Sequence, residues 1–193
     1  MIRLVQSEDT PAMLDIYAPY VRESAATFEK YVPTLNELEL RIQLILKEAP
    51  WLVYESNKRV VGFAYSGKHR EREGYRWTRE TSIYIEPDYQ RKTIGTALYT
   101  VLIELLRIQG YTTLLAGITL PNDASERFHE KLGFQKVGVY HRVGYKQGKF
   151  HDAAWWELHI NAKARKDILH WEGIPEEVWK SVVEEGDKLV SKK

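Results

Sequence analysis

The stretch Ile83-Tyr84-Ile85-Glu86-Pro87-Asp88-Tyr89-Gln90-Arg91-Lys92-Thr93-Ile94-Gly95-Thr96-Ala97-Leu98-Tyr99 decides how the rest of the chain is read. Its first part belongs to a β-branched and aromatic run, Thr81 to Glu86, which reads as a strand stopped by Pro87. A helix is expected from near Arg91, because Ile94, Ala97, Leu98, Val101, Leu102 and Leu105 fall on one stripe of period 3.6. Gly110 is placed to cap its C-terminus. A strand, a short turn and a helix leave the N–H groups of the first helical turn unpaired, and the helix dipole adds to their field. That arrangement suits an anion such as a diphosphate. Arg91 and Lys92 add cations at its rim, and Gly95 allows a ligand close to the backbone. Taken alone, the same residues also read as an ordinary capped helix with solvated charges.

Working outward, Ile2 to Val5 reads as a short strand and the segment from Asp9 to about Arg22 as a helix, with Pro11 in its first turn. Thr34-x-x-Glu37 forms a capping box before Leu38, Ile42, Ile45 and Leu46, and Pro50 ends that helix. Residues 51–55 and 59–65 read as the strands of a hairpin turning at Ser56-Asn57-Lys58, and Gly67 to Gly74 reads as a charged loop. Thr112 to Thr119 reads as a strand, and Asn122 to Leu132 as a helix closed by Gly133. Phe134 to Val143 and Phe150 to His159 read as a closing strand pair. The order β-α-α-β-β-β-α-β-α-β-β is that of a mixed α/β (α+β) domain over residues 1–160, a central sheet flanked by helices. Residues 161–193 change character and read as an appended helical tail carrying Trp171, Trp179, Val182, Val183 and Leu189.

Composition narrows the function. The 193 residues carry 28 Lys plus Arg against 27 Asp plus Glu, so no basic excess draws in nucleic acid. There is no cysteine, which removes disulfides, thiolate metal sites and a Cys-linked intermediate. The apolar runs are too short for a membrane span, and the N-terminus lacks the apolar region of a signal peptide. A cytoplasmic enzyme or binding module is expected. The six histidines are scattered without H-x-x-x-H or H-E-x-x-H spacing, so no metal site is expected, and His151-Asp152 reads as strand-end hydrogen bonding. No Gly-x-Ser-x-Gly elbow or P-loop occurs.

The turn at Gln90 to Gly95 resembles motif A of the GCN5-related N-acetyltransferases (GNAT), Gln/Arg-x-x-Gly-x-Gly/Ala. Thr93 departs from it at the first glycine position, where a Cβ opposes a positive φ. Further segments, in order, look like the phosphinothricin acetyltransferase subfamily: Pro50-Trp51-Leu52-Val53, Tyr75-x-Trp77-Thr78-x-Glu80, Leu98-Tyr99-Thr100, Gln109-Gly110 and Leu120-Pro121-Asn122-Asp123. His129-Glu130-x-Leu132-Gly133 and Gly144-Tyr145-Lys146-x-Gly148-x-Phe150-His151-Asp152 complete the likeness, which spans about residues 2–160.

The resemblance implies a GNAT fold, acetyl-CoA as donor, a small amino-acid-like amine as acceptor, and a homodimer. It places coenzyme contacts at the backbone of Ile83, Tyr84 and Ile85, at Arg91, Lys92, Thr93, Ile94, Gly95 and Thr96, and at Asn122. Glu80 matches the family's general base, and His129 its second catalytic position, where imidazole can donate or accept a proton. The basic loop positions match Arg70 and Arg72, suited to a carboxylate or phosphinate, and Phe28, Tyr75 and Trp77 are candidates for the acceptor wall. For each, a plainer role as solvated charge, surface histidine or aromatic core stands beside the functional one. An acetyltransferase acting on peptide amines, or a non-catalytic acetyl-CoA-binding module, are the alternative functions.

Overall fold

A computed structural model describes residues 1–191 of the chain. Strand β1 (Ile2–Leu4) leads into helix α1 (Thr10–Glu23), which carries Pro11 in its first turn. Helix α2 (Leu35–Leu46) starts at the Thr34–Glu37 capping box, with Glu37 N donating to Thr34 Oγ1 at 3.2 Å and Thr34 N to Glu37 Oε2 at 2.7 Å. The hairpin β2 (Leu52–Ser56) and β3 (Arg59–Lys68) turns at Asn57 and Lys58, both at positive φ. Then come β4 (Thr78–Ile85), α3 (Ile94–Gln109), β5 (Thr113–Thr119) and α4 (Asp123–Lys131). The strands β6 (Gln135–Lys146) and β7 (Lys149–His159) form the last hairpin, followed by α5 (Glu176–Ser191).

The seven strands form one sheet in the order β1-β2-β3-β4-β5-β7-β6. All neighbours are antiparallel except β4 and β5, whose connection is the crossover through α3. One core lies between the sheet and α3, around Leu98, Leu102, Leu106 and Leu114. A second lies on the other face beneath α1 and α2, around Met13, Leu38, Trp51 and Phe63. Helix α3 is buried on more than its expected stripe, because α5 packs against the side turned away from the sheet. Gly186 marks the crossing: a Cβ there would overlap Val101 Cγ2 and stand 3.0 Å from Ile2 Cδ1.

Three boundaries differ from the sequence reading. The helix expected from Arg91 begins at Ile94, because Arg91 (φ 60°) and Thr93 (φ 68°) take left-handed backbone that a helix cannot include. Strand β4 begins at Thr78, not Thr81, since Thr78, Arg79 and Glu80 pair with β5, and Arg79 and Glu80 with β3 as well. The charged loop expected from Gly67 is shorter, because β3 continues to Lys68 opposite Arg79. Residues 161–170 contain no regular helix, and they run against the body through backbone bonds such as Leu169 N to Gln109 O at 2.9 Å. Lys192 and Lys193, at the end of the expected tail, lie outside the described residues.

Candidate active site

The site originates in a parting of strands. β4 and β5 pair only from Thr78 opposite Thr113 to Glu80 opposite Leu115, whereas β4 stays paired to β3 as far as Ile85. From Thr81 onward the β5-facing edge of β4 therefore has no strand partner, and short of Ile85, whose carbonyl accepts from Tyr20 Oη at 2.5 Å, its outward N–H and C=O groups are open to a ligand. The gap is a cleft of about 450 Å³, walled by Thr81 to Ile85 on one side and Ala116 to Thr119 on the other.

Helix α3 points its N-terminus at this cleft, where Arg91, Thr93, Gly95 and Thr96 line the mouth. Thr93 is the N-cap residue, yet its side chain makes no capping bond and its Oγ1 is buried without a partner. The first-turn N–H groups therefore lack the side-chain cap that most helices supply. Gly95 keeps this approach uncrowded: a Cβ would stand 3.1 Å from Ile85 Cδ1 and 3.3 Å from Phe128 Cε2, tighter than ordinary contact. An uncapped helix start beside an open strand edge is a fit for an anionic ligand with an amide-bearing arm. Of the other residues expected here, Ile94 turns its side chain into the core, and Lys92 lies with its ammonium 4.8 Å from the centre of the Tyr89 ring. Neither side chain lines the cleft.

The far wall comes from α4. Asn122 caps this helix, accepting from Ser125 N at 3.1 Å, and lines the cleft. Two turns further on, His129 is buried in a box formed by Tyr99, Phe128 and Phe134. Its Nδ1 lies 2.8 Å from Ser125 O, and a carbonyl can only accept, so Nδ1 carries the proton. Burial lowers the imidazole pKa, so the ring is neutral and Nε2 is the acceptor. Tyr99 Oη stands 3.4 Å from that nitrogen, while burial raises its own pKa. The solvated-histidine reading of position 129 is thus excluded by its 4% exposure.

Glu80 sits where the strands part, the last residue of β4 still in register with β5, and stands just outside the residues that line the cleft. Strand alternation turns Glu80, Ser82 and Tyr84 to the α1 face, while Ile83 and Ile85 pack toward α3. Glu80 Oε1 lies 2.6 Å from His69 Nδ1, and the His69 ring meets Tyr75 and Trp155 edge-on at 5.6 and 6.0 Å. Arg70, Arg72 and Tyr75 do not line the cleft. They line a separate charged cavity of about 310 Å³ with Glu48, Arg79 and Leu169. Phe28 lies elsewhere again, against Gly144 and His151, bridging the α1–α2 connection to the β6–β7 hairpin. Trp77 does not line the cleft either: its Nε1 donates to Arg165 O at 2.9 Å and Arg76 stacks on its ring.

His151 is buried and donates from Nε2 to Lys146 O at 3.1 Å, whereas Asp152 accepts from Arg142 N at 2.8 Å and lies 2.9 Å from His141 Nδ1. Among the described residues, no group of three or more His, Asp or Glu side chains could hold a metal ion. The sequence reading passed over His69, which stands in a mixed charge run, and the hydroxyl of Tyr99, which looked like one more member of an apolar stripe. Neither has a local signal, since each acquires its partner from another element.

Residues 2–155 match the family described as "Acetyltransferase (GNAT) domain". The phosphinothricin N-acetyltransferase of Streptomyces viridochromogenes is 36% identical over 156 residues, 81% of this chain and 85% of that protein. The L-methionine sulfoximine/L-methionine sulfone acetyltransferase of Salmonella typhimurium is 35% identical, covering 86% of this chain and 98% of its own length. A crystal structure of a phosphinothricin acetyltransferase from Sinorhizobium meliloti in complex with AcCoA superposes with a TM-score of 0.83 at 28% identity, covering 87% of this chain and 94% of that one.

Proposed function

Because the chain belongs to the GNAT acetyltransferase family, we propose that it moves the acetyl group of acetyl-CoA to the amino group of a small amino-acid-like acceptor. Acceptors of the phosphinothricin or methionine sulfoximine type are the expected class, as the names of its relatives suggest. The observation that carries this reading is the uncapped start of α3 at the mouth of a cleft that opens where β4 and β5 part, one residue beyond Glu80.

Acetyl-CoA brings an activated acetyl thioester, and the residues present fit it. The N–H groups of Ile94, Gly95 and Thr96, with Arg91 at the rim, would hold the diphosphate. The edge of β4 at Ile83 and Tyr84, bounded by Ile85 whose carbonyl Tyr20 already holds, would together with Asn122 hold the amide-bearing arm. An N–H on that edge is also placed to stabilise charge developing on an acyl oxygen.

An α-amino group is mostly protonated at neutral pH and cannot attack until it loses a proton. Glu80 Oε1 is the base we assign to that task, with His69 holding the carboxylate in place. At the edge of the cleft the proton for the departing sulfur comes from the Tyr99 hydroxyl beside the bare Nε2 of His129, the phenol being restored from solvent while the proton taken up by Glu80 passes to solvent. Transfer is direct in this account, the chain having no cysteine to carry an acyl group. Val137, Val143, Tyr145 and Phe150, each more than half exposed on the β6–β7 hairpin, support association of two copies.

Incubating the protein with acetyl-CoA and single acceptors, and reading free CoA, tests the assignment. Release with amino acids or their phosphinate and sulfoximine analogues supports it. Release only with peptides, or with no acceptor, contradicts it.

A further inference from the structure

Tyr20 lies near the end of α1, outside every motif quoted above, yet its hydroxyl reaches the point where β4 ends. It donates to Ile85 O at 2.5 Å and accepts from Gln90 Nε2 at 2.9 Å. Gln90 Nε2 also stands 3.2 Å from the same Ile85 carbonyl, so one amide and one phenol share that oxygen. Ile85 N approaches the phenol oxygen at 3.4 Å, and the Tyr20 ring packs edge-on against Tyr84 at 5.1 Å. Burial raises the Tyr20 pKa, which keeps the hydroxyl protonated and able to donate.

Three elements meet at this atom: the end of α1, the last residue of β4, and the turn that leads to α3. The turn needs such a fastening, because Arg91 and Thr93 hold left-handed backbone that side-chain-bearing residues adopt at a cost. Gln90 immediately precedes them, and its side chain is spent on Tyr20 and Ile85. Tyr20 itself lines the cleft beside Ile85 and Gln90.

We propose that Tyr20 is a positioning residue for the diphosphate of the coenzyme, acting through Gln90 and the 86–93 turn on the N–H groups that open α3. The inference rests on the acetyl-CoA reading above. Its test compares Tyr20→Phe with the wild-type chain by calorimetry, using CoA and, separately, pantetheine, which lacks the diphosphate and nucleotide. Loss of one shared hydrogen bond should weaken CoA about 3- to 10-fold and leave pantetheine unchanged. The KM for acetyl-CoA should rise by the same factor while kcat at saturation stays within about two-fold. Gln90→Leu should reproduce the effect, and the double variant should add little to either. Unchanged CoA affinity in Tyr20→Phe, or an equal loss for CoA and pantetheine, overturns the assignment of Tyr20 alone. A wild-type chain that binds no CoA overturns the coenzyme reading and this inference with it.

Discussion

Glu80 and His129 stand on opposite sides of the sheet's parting, and the environment of each decides what it can do. Glu80 is a partly exposed carboxylate whose Oε1 lies 2.6 Å from His69 Nδ1. Glu80→Ala is expected to lower kcat/KM by about 100-fold or more while CoA affinity stays near that of the wild type. Steady-state kinetics beside a CoA titration checks both. Near-normal turnover in a folded variant would remove Glu80 from the mechanism. His129 is buried among three aromatic rings with its pKa lowered by desolvation. The unfolded chain takes up a proton near the ordinary histidine pKa that the folded chain declines, so stability is full above that pH and falls as pH drops below it. The slope from this one group is at most about 1.4 kcal/mol per pH unit. Melting curves from pH 8 to 5 should show the wild type losing stability faster than His129→Leu. Parallel curves would show that the imidazole titrates freely.

At the scale of elements, much was legible where a single segment carries its own signal. The stripe of α3, the stop at Pro87, the αL cap at Gly110 (φ 102°) and the Thr34–Glu37 box are local, and each appears where its residues place it. The start of α3 was not legible. Periodicity alone extends that helix back to Arg91, and only the backbone shows Thr93 occupying a left-handed position usually left to glycine. The cost of holding a β-branched residue there is roughly 1–2 kcal/mol, with a buried unpartnered hydroxyl besides. Thr93→Gly is therefore expected to raise stability by about 1 kcal/mol, read as a higher melting temperature. A lower one would show that Thr93 supports the turn in a way its lack of partners conceals. The loop after β3 was equally opaque. Its charge run names Arg70 and Arg72 as anion ligands, but which cavity each lines depends on how the loop crosses the sheet edge.

Across the whole molecule, the site follows from one feature of the sheet. Two cores, one under α3 and one under α1 and α2, hold the halves of the sheet firmly while β4 and β5 separate between them. The separation exposes a strand edge, and the crossover through α3 aims a helix N-terminus at the same opening. The segment after β7 adds to this frame from behind. Trp171 donates to Leu46 O, Gln109 Nε2 bonds Leu169 O at 2.9 Å, and Asp187 accepts from Ile2 N at 2.8 Å. These contacts brace α3 against β1 and α2, far from any local pattern that a sequence displays.

The central claim is that the N–H groups opening α3 receive the diphosphate of a CoA thioester. Titrating ¹⁵N-labelled protein with CoA and following backbone amide resonances tests it at the atoms concerned. The account predicts saturable shifts largest at Ile94, Gly95 and Thr96, with amides around Arg70 and Arg72 little moved. Amides of that first turn unmoved at millimolar CoA, in a well-folded sample, would contradict it.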